Sequence, residues 1–159
     1  ILDAFQKSKS KKKLVIVGDV PYSDNYADKV KSFAGPKIIL TGYINCQQKL
    51  SQLYNNCYAY IHGHQFGGTN PTMINALDLN CRIIALKTKF NLEMLKNKNE
   101  NYFEKTLDSV INAIVKVENE HKLFLEKNFK YMLPKRYDWD YITKQYLELF
   151  ADLTSYQNK

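Results

Sequence analysis

Short runs of apolar residues alternate along this chain with segments whose apolar residues recur at helical spacing. The apolar runs predict four strands, at residues 13–18, 37–42, 58–63 and 81–86. The periodic segments predict helices at residues 25–34, 47–56, 72–79, 107–118, 120–132 and 140–153. Strands that alternate with helices are typical of βαβ units, so the pattern predicts an α/β fold with a parallel sheet.

Glycines mark one edge of the predicted sheet. Gly18, Gly42 and Gly63 each close a predicted strand, and Gly67 and Gly68 follow in the loop after the third strand. Glycine lets the backbone approach a ligand closely because it carries no side chain. Ligands of open α/β sheets bind at the carboxyl ends of the strands, so the glycines predict a ligand site along this edge.

The loop after the third strand, which runs from His62 to Pro71, carries the clearest chemical signal. Its sequence is His-Gly-His-Gln-Phe-Gly-Gly-Thr-Asn-Pro. Asn70 favours an N-cap and Pro71 suits the first turn of a helix. The N-terminus of a helix attracts anions, because its N–H groups and the helix dipole both favour negative charge. The loop therefore predicts an anion site, with phosphate as the usual anion.

Three other side chains near predicted strand ends are weighed as site residues. His64 is a candidate for lining the site and His62 a weaker one, since a lone histidine is more often structural. The two histidines do not predict a metal site, because no third ligand stands at a useful spacing. Glu93 is a candidate ligand contact, and the alternative is that it only caps a helix.

Charge and composition narrow the partners. The chain of 159 residues has a net charge of +7, carried almost wholly by lysines. It has no arginine-rich stripe with interleaved aromatic residues, so we expect no nucleic-acid partner. No apolar run approaches the roughly 20 residues that a membrane span needs. The lysines between residues 7 and 13 fit either a solvated helix end or a contact with anionic lipid headgroups.

The three cysteines lie inside predicted helices or strands or next to them, and their spacing does not suggest a metal site. We expect buried, reduced thiols. Reduced thiols are typical of the cytoplasm, so the cysteines favour a cytoplasmic location.

Several motifs follow one another in a recognisable order. They are the strand and loop from Leu14 to Asp19, the strand–Gly–hydrophobe segment at 38–44, Leu-x-x-Leu-Tyr at 50–54, the loop and helix at 67–76, Asn91-Leu92-Glu93, Tyr102-Phe103 and Tyr137-Asp138-Trp139. In this order they resemble the C-terminal half of a GT-B glycosyltransferase of family four, a large retaining group. The His-Gly-His start and the Gly-Gly-Thr-Asn-Pro core are most similar to bacterial rhamnosyltransferase-type enzymes of polysaccharide biosynthesis.

The resemblance implies a Rossmann-like, three-layer α/β/α domain. Residues 1–159 would form the domain that binds the nucleotide-sugar donor, without its first strand and without the N-terminal acceptor domain. The segment from Ile1 to Phe5 looks like the end of a helix that begins earlier, so we expect the chain to start inside a larger protein. The last helix, at about 137–153, would pack back as the crossing helix of the family.

The resemblance also implies roles for individual residues. Backbone near Tyr43 and Ile44 would face the nucleobase, and N–H groups at residues 68–70 would hold the distal phosphate. The full set of expected donor-binding residues is Gly18, Asp19, Tyr43, Ile44, His64, Gly67, Gly68, Thr69, Asn70, Asn75 and Glu93. It assigns no catalytic residue in this chain.

Three departures from the family pattern affect these roles. Asn75 stands where the family usually has a glutamate for the ribose hydroxyls, and an amide cannot accept as a carboxylate does. Gly67 stands where the family has a glutamate that contacts the donor sugar. The Arg and Lys that neutralise the diphosphate belong to the first strand, before Ile1. We therefore expect this chain alone to be inactive.

The resemblance implies transfer, with retention, of a sugar such as rhamnose. The donor would be a dTDP- or UDP-linked sugar and the acceptor a surface polysaccharide or a lipid-linked glycan. It implies no cofactor and no metal, and a cytoplasmic enzyme peripheral to the inner face of the plasma membrane. Two alternatives stay open: a non-catalytic GT-B-like interaction module, and a GT-B type nucleotide-sugar epimerase.

Overall fold

The computed structural model describes residues 1–19, 22, 24–96, 101–122 and 133–156. The elements in chain order are α1 (Leu2–Lys7), β1 (Leu14–Ile16), α2 (Asn25–Lys31), β2 (Ile38–Leu40), α3 (Gln47–Asn56), β3 (Tyr60–His62), α4 (Pro71–Asp78), β4 (Ile83–Leu86), α5 (Lys89–Leu95), β5 (Tyr102–Phe103), α6 (Leu107–Asn119), a 3₁₀ turn (Lys135–Tyr137) and α7 (Trp139–Tyr156). None of the helices described here has the length and apolar character needed to cross a membrane.

All strand pairs of the described residues are parallel, as the alternating pattern predicts. β1 pairs with β2, with Leu14 opposite Ile38. β4 lies between β3 and β5, with Tyr60 opposite Ile83 and Ala85 opposite Tyr102. The four predicted strands all form, and each is shorter than predicted: β1, β2 and β3 end before their terminal glycines, and β4 begins two residues later than predicted, at Ile83.

β4 is the most deeply buried strand, and its residues alternate between two apolar clusters. Ile84 and Leu86 pack with α1 and α6 on one face. Ile83 and Ala85 pack with α4 and α5 on the other. Burial on both faces is typical of the centre of a parallel sheet covered by two helix layers. The expected Rossmann-like α/β/α arrangement is confirmed.

β1 and β3 face each other across an open cleft. The cleft has a volume of about 860 Å³, and its walls include residues 14–17 of β1 and residues 58–61 around β3. Leu14 N–H and Ile16 C=O bond to the β2 side. Since backbone groups of successive strand residues point to opposite sides, those of Val15 and Val17 point into the cleft. Both valine residues are 40% exposed.

Some sequence predictions need correction. α5 and β5 were not predicted, because β5 has only two residues and α5 only seven. The predicted helix at 120–132 lies almost entirely outside the described residues. Cys46 and Cys57 are exposed, so the expectation of burial holds for Cys81 alone. α7 forms, but its apolar side chains, such as Trp139 at 79% and Phe150 at 56%, are exposed.

Candidate functional site

The carboxyl ends of β1 and β2 are joined by their glycines. Gly18 N–H donates to the Gly42 carbonyl oxygen over 2.9 Å. Both residues have a positive φ, +124° for Gly18 and +67° for Gly42, which a side chain would strain. Asp19 follows Gly18, and Tyr43, whose side chain is 75% exposed, follows Gly42. Tyr43 and Ile44, the expected base-facing residues, therefore lie at this edge, and Ile44 is partly buried.

The first turn of α4 begins as predicted. Asn70 is the N-cap, and its Oδ1 accepts the backbone N–H of Thr72 over 3.0 Å. Pro71 is the first helical residue. Gly68 and Thr69 are exposed just before the cap, and Gly67 has a φ of +113°. This geometry leaves the helix N-terminus accessible from solvent, where an anion would be attracted.

A chain of polar side chains lies behind this helix start. Tyr60 Oη lies 2.7 Å from Thr72 Oγ1 and 3.1 Å from His62 Nδ1. Thr72 Oγ1 in turn donates to Asn70 Oδ1 over 2.7 Å. These hydrogen bonds therefore connect β3 to the cap of α4.

The two histidines of the loop have different environments. His62 is 1% exposed, and the ring of the exposed His64 stacks on it with 4.7 Å between centroids. Burial, and secondarily the neighbouring His64, lowers the pKa of His62 to about 4. Burial also raises the pKa of Tyr60 to about 12. Both groups are thus neutral at pH 7, and His62 lies under the site rather than in it.

Asn91 holds the loop from the side of β4. Its side chain is buried, and its Nδ2 donates to the Leu86 carbonyl over 2.8 Å and to the His64 carbonyl over 3.3 Å. Its backbone N–H bonds to Thr88, the N-cap of α5. The sequence signal for Asn91 was its place in the Asn-x-Glu motif, but its structural role depends on two carbonyls that only the fold brings together.

Glu93 and Asn75 both lie outside the loop at residues 62–71, on α5 and α4. The Glu93 carboxylate is exposed and pairs with Arg136 over 2.9 Å, and Arg136 also donates to the Glu93 carbonyl. This places Glu93 against the 3₁₀ turn. Asn75 lies on α4 beyond its first turn and is partly buried. The donor-binding roles of both residues stay predictions.

A second cavity, of about 400 Å³, lies beside the loop at the ends of β4 and β5. Gln65 and Phe66 of the loop line one side. The charged residues of its lining are three lysines and one glutamate, Lys87, Lys89, Lys105 and Glu104. Lys87 pairs with Glu104 over 3.4 Å. The excess of lysine makes this side of the loop electropositive.

The titratable residues described here do not form a metal centre. In the described ranges no group of three or more His, Cys, Asp or Glu residues is arranged to hold a metal ion.

An α/β domain of parallel strands, with a glycine-rich loop and a capped helix start at the carboxyl edge, has the Rossmann-like architecture in which ligands bind along that edge. The family described as "Glycosyl transferases group 1" matches residues 1–134, which is most of the chain. The chain therefore belongs to this family, and its function is of the glycosyltransferase type, with nucleotide-sugar donors and acceptors as the general kind of partner. No curated protein matches the chain significantly.

Proposed function

We propose that this chain is the donor-binding half of a retaining glycosyltransferase that acts on a surface polysaccharide or lipid-linked acceptor. The observation that carries the proposal is the accessible start of α4, capped by Asn70 and preceded by the exposed Gly68 and Thr69. In a glycosyltransferase, such a loop has a clear use, since the reaction expels a nucleoside diphosphate as its leaving group.

The N–H groups at residues 68–70 would hold the distal phosphate of the donor. As the sugar–phosphate bond breaks, negative charge develops on the leaving diphosphate, and donors already in place stabilise that charge. The lysines beside the loop, Lys87 and Lys89, would add positive potential at the same edge. These residues bind and stabilise, and the acceptor would be activated by groups outside this chain.

Two departures from the family pattern bear on the choice of donor. Asn75 offers one acceptor oxygen for the ribose, which suits a deoxyribose with one hydroxyl fewer, and so a dTDP-linked sugar such as rhamnose. Gly67 has a φ of +113°, so a glutamate at this position would strain the loop. We propose that this enzyme recognises its donor sugar through other groups.

We also propose that the domain includes one more strand, which fills the cleft between β1 and β3. Backbone groups of Val15 and Val17 point into this cleft, and parallel strands are normally buried and paired. Ile1 supports this placement. The Ile1 Cδ1 atom lies 2.6 Å from the position that a Cβ would occupy if Gly63 carried a side chain. The start of α1 therefore lies at the carboxyl edge, and α1 leads from there into β1. That is the second half of a βαβ unit, whose first strand would lie beside β1.

Hydrogen exchange tests the strand proposal. The amides of Val15 and Ile61 should exchange quickly in residues 1–159. They should become protected in a protein extended by whatever residues the gene encodes before Ile1, while the amide of Ile84 stays protected in both. Equal exchange of Val15 in the two proteins would contradict a strand in the cleft.

The rest of the enzyme follows from the same proposal. An N-terminal acceptor domain would complete the site, and α7, with its exposed apolar side chains, would pack back as the crossing helix. Residues 1–159 alone would then be inactive. The complete enzyme would work in the bacterial cytoplasm, peripheral to the inner face of the plasma membrane, where a lipid-linked acceptor is accessible.

Ligand-detected NMR tests the donor site. Saturation transfer from residues 1–159 to UDP, dTDP, GDP and ADP should select one nucleotide, with dTDP expected. Asn70→Asp should weaken that binding, because it adds a negative charge beside the phosphate. Equal transfer to all four nucleotides, unchanged in Asn70→Asp, would contradict the proposed site.

A further inference from the structure

In the series of side-chain hydrogen bonds at the start of α4, the donor and the acceptor of each bond can be assigned. The series makes three side-chain contacts, from His62 to Tyr60, from Tyr60 to Thr72 and from Thr72 to Asn70. The donors can be determined from one end. The backbone N–H of Thr72 donates to the Asn70 side chain, so the atom that receives it is the amide oxygen.

The remaining protons follow in sequence. Asn70 Oδ1 has no proton, so the Thr72 hydroxyl must donate to it. Thr72 has then used its only proton, so the Tyr60 hydroxyl donates to Thr72 Oγ1. Tyr60 has used its proton in turn, so His62 Nδ1 must donate to Tyr60 Oη. Three hydrogen bonds need three protons, and the two hydroxyls supply only two of them.

The other neutral form of His62 would break the chain. With the proton on Nε2, one of the three contacts of the chain would have no proton between its two polar atoms. The proton on Nε2 would also lack an acceptor, since Nε2 is buried and has no hydrogen-bond partner among the described residues. A buried donor without a partner costs free energy. The surroundings therefore favour a proton on Nδ1.

We propose that Tyr60 and His62 are positioning residues, in which His62, as its Nδ1–H tautomer, orients Tyr60, Thr72 and Asn70 and so fixes the first turn of α4. These hydrogen bonds connect both ends of the exposed segment at residues 63–69 to β3. A loop held in one geometry loses less conformational freedom when a ligand binds. The ligand effect rests on the proposed function, whereas the tautomer and the order of the helix start do not.

The tautomer is tested first, without any ligand. Residues 1–159 contain three histidines, so side-chain ¹⁵N NMR signals can be assigned with single substitutions such as His64→Asn. His62 should show a protonated Nδ1 and an unprotonated Nε2 at pH 7. In Tyr60→Phe it should change toward the Nε2–H form. Tyr54→Phe is the matched control, because the Tyr54 ring lies 5.5 Å from the Tyr60 ring but takes no part in the hydrogen bonds between His62 and Asn70. This substitution should leave the His62 tautomer unchanged. An Nε2–H signal in the unsubstituted protein would overturn the proposal.

The positioning role is tested on the helix start itself. The amide of Thr72 should exchange with solvent about 3- to 10-fold faster in Tyr60→Phe, the loss expected for one net hydrogen bond. Thr72→Val should act similarly, Thr72→Ser should restore slow exchange, and Tyr54→Phe should have no effect. Unchanged exchange in Tyr60→Phe would overturn the positioning role.

The nucleotide provides the last readout. Tyr60→Phe should weaken dTDP binding by about the same factor as it speeds exchange, if the loop is held for the ligand. Absence of dTDP binding in the unsubstituted protein would count against the proposed function only, because the tautomer and exchange results decide the positioning role by themselves.

Discussion

The β1–β2 sheet and the β3–β4–β5 sheet, the two halves of the strand layer, are built from similar residues but differ in how far those residues are buried. In the β3–β4–β5 half, Ile83 and Ile84 are 0% and 2% exposed, and helices cover both faces. In the β1–β2 half, Val15 is 40% and Ile39 37% exposed. An equally apolar strand is thus buried in one half and partly exposed in the other. This exposure, together with the cleft beside β1, is the observation on which the proposed extra strand rests.

The candidate site belongs to the β3–β4–β5 half of the molecule. The loop, the cap of α4 and the polar chain all depend on β3 and β4, whose positions the core fixes. The cleft ends near His64 and Thr72, at the back of the site. A partner strand in the cleft would therefore complete both the sheet and one wall of the site.

Truncation of an apolar side chain should show the largest difference in stability between the β3–β4–β5 half and the β1–β2 half. Ile84→Ala should destabilise the chain by about 3 kcal/mol, because it leaves a cavity between β4 and the α1–α6 layer. Ile39→Ala is the matched change in the open half and should cost about 1 kcal/mol, since Ile39 is already 37% exposed. Urea unfolding measures both values. Equal losses would show that the two halves are equally well packed.

Acid should destabilise the β3–β4–β5 half of the molecule, because His62 is buried there in its neutral form. Its pKa in the fold, about 4, lies below the unfolded value of 6.5, so the unfolded chain takes up a proton first as the pH falls. Stability from this group is fully present above pH 6.5 and is lost as the pH falls toward 4. Between pH 6.5 and pH 5 the loss should be about 2 kcal/mol. His62→Asn should flatten this dependence in urea unfolding, and an unchanged slope would contradict the burial of a neutral imidazole.

Removal of Asn91 should loosen the join between β4 and the loop. Asn91→Ala should cost about 1 to 2 kcal/mol, because the buried carbonyl of Leu86 would lose its donor. Asn56→Ala removes a similar amide-to-carbonyl bond at an exposed position and should change stability by about 0.5 kcal/mol or less. Thermal unfolding compares the two variants. A larger loss in Asn56→Ala would argue against the role of Asn91.

Cap removal gives the smallest change in stability, with a specific effect on binding. Asn70→Ala and Thr106→Ala each remove an N-cap, of α4 and of α6, and each should cost about 1 kcal/mol. Only Asn70→Ala should weaken nucleotide binding, as measured by saturation transfer. Equal binding by the two variants would separate the anion site from α4.

The local features of the site could be predicted from sequence. Glycines at strand ends, the Asn70 cap and Pro71 follow rules that act over a few residues, and the cap is confirmed. Parallel pairing was also predictable, because strand–helix alternation leaves little other choice. The cleft between β1 and β3 was not predicted in its form, although the resemblance implied an absent first strand.

The unpredicted features depend on residues far apart in the chain. The pairing of Glu93 with Arg136, the bonds of Asn91 and the lysines around the second cavity each join distant segments. The helical spacing of apolar residues in α7 predicted the helix but not their exposure, because periodicity does not tell which surface covers a face. The two exposed cysteines were mispredicted because they lie at or next to the ends of α3, where burial depends on the packing of neighbouring elements.

The most direct test of the account is a titration of ¹⁵N-labelled residues 1–159 with dTDP, observed through the backbone amide signals. The largest shifts should fall on Gly68, Thr69 and Asn70, and they should become smaller in Asn70→Asp. Shifts confined to the amides around Val15 and Ile61, or to those around Lys87 and Lys105, would contradict a donor site at the start of α4.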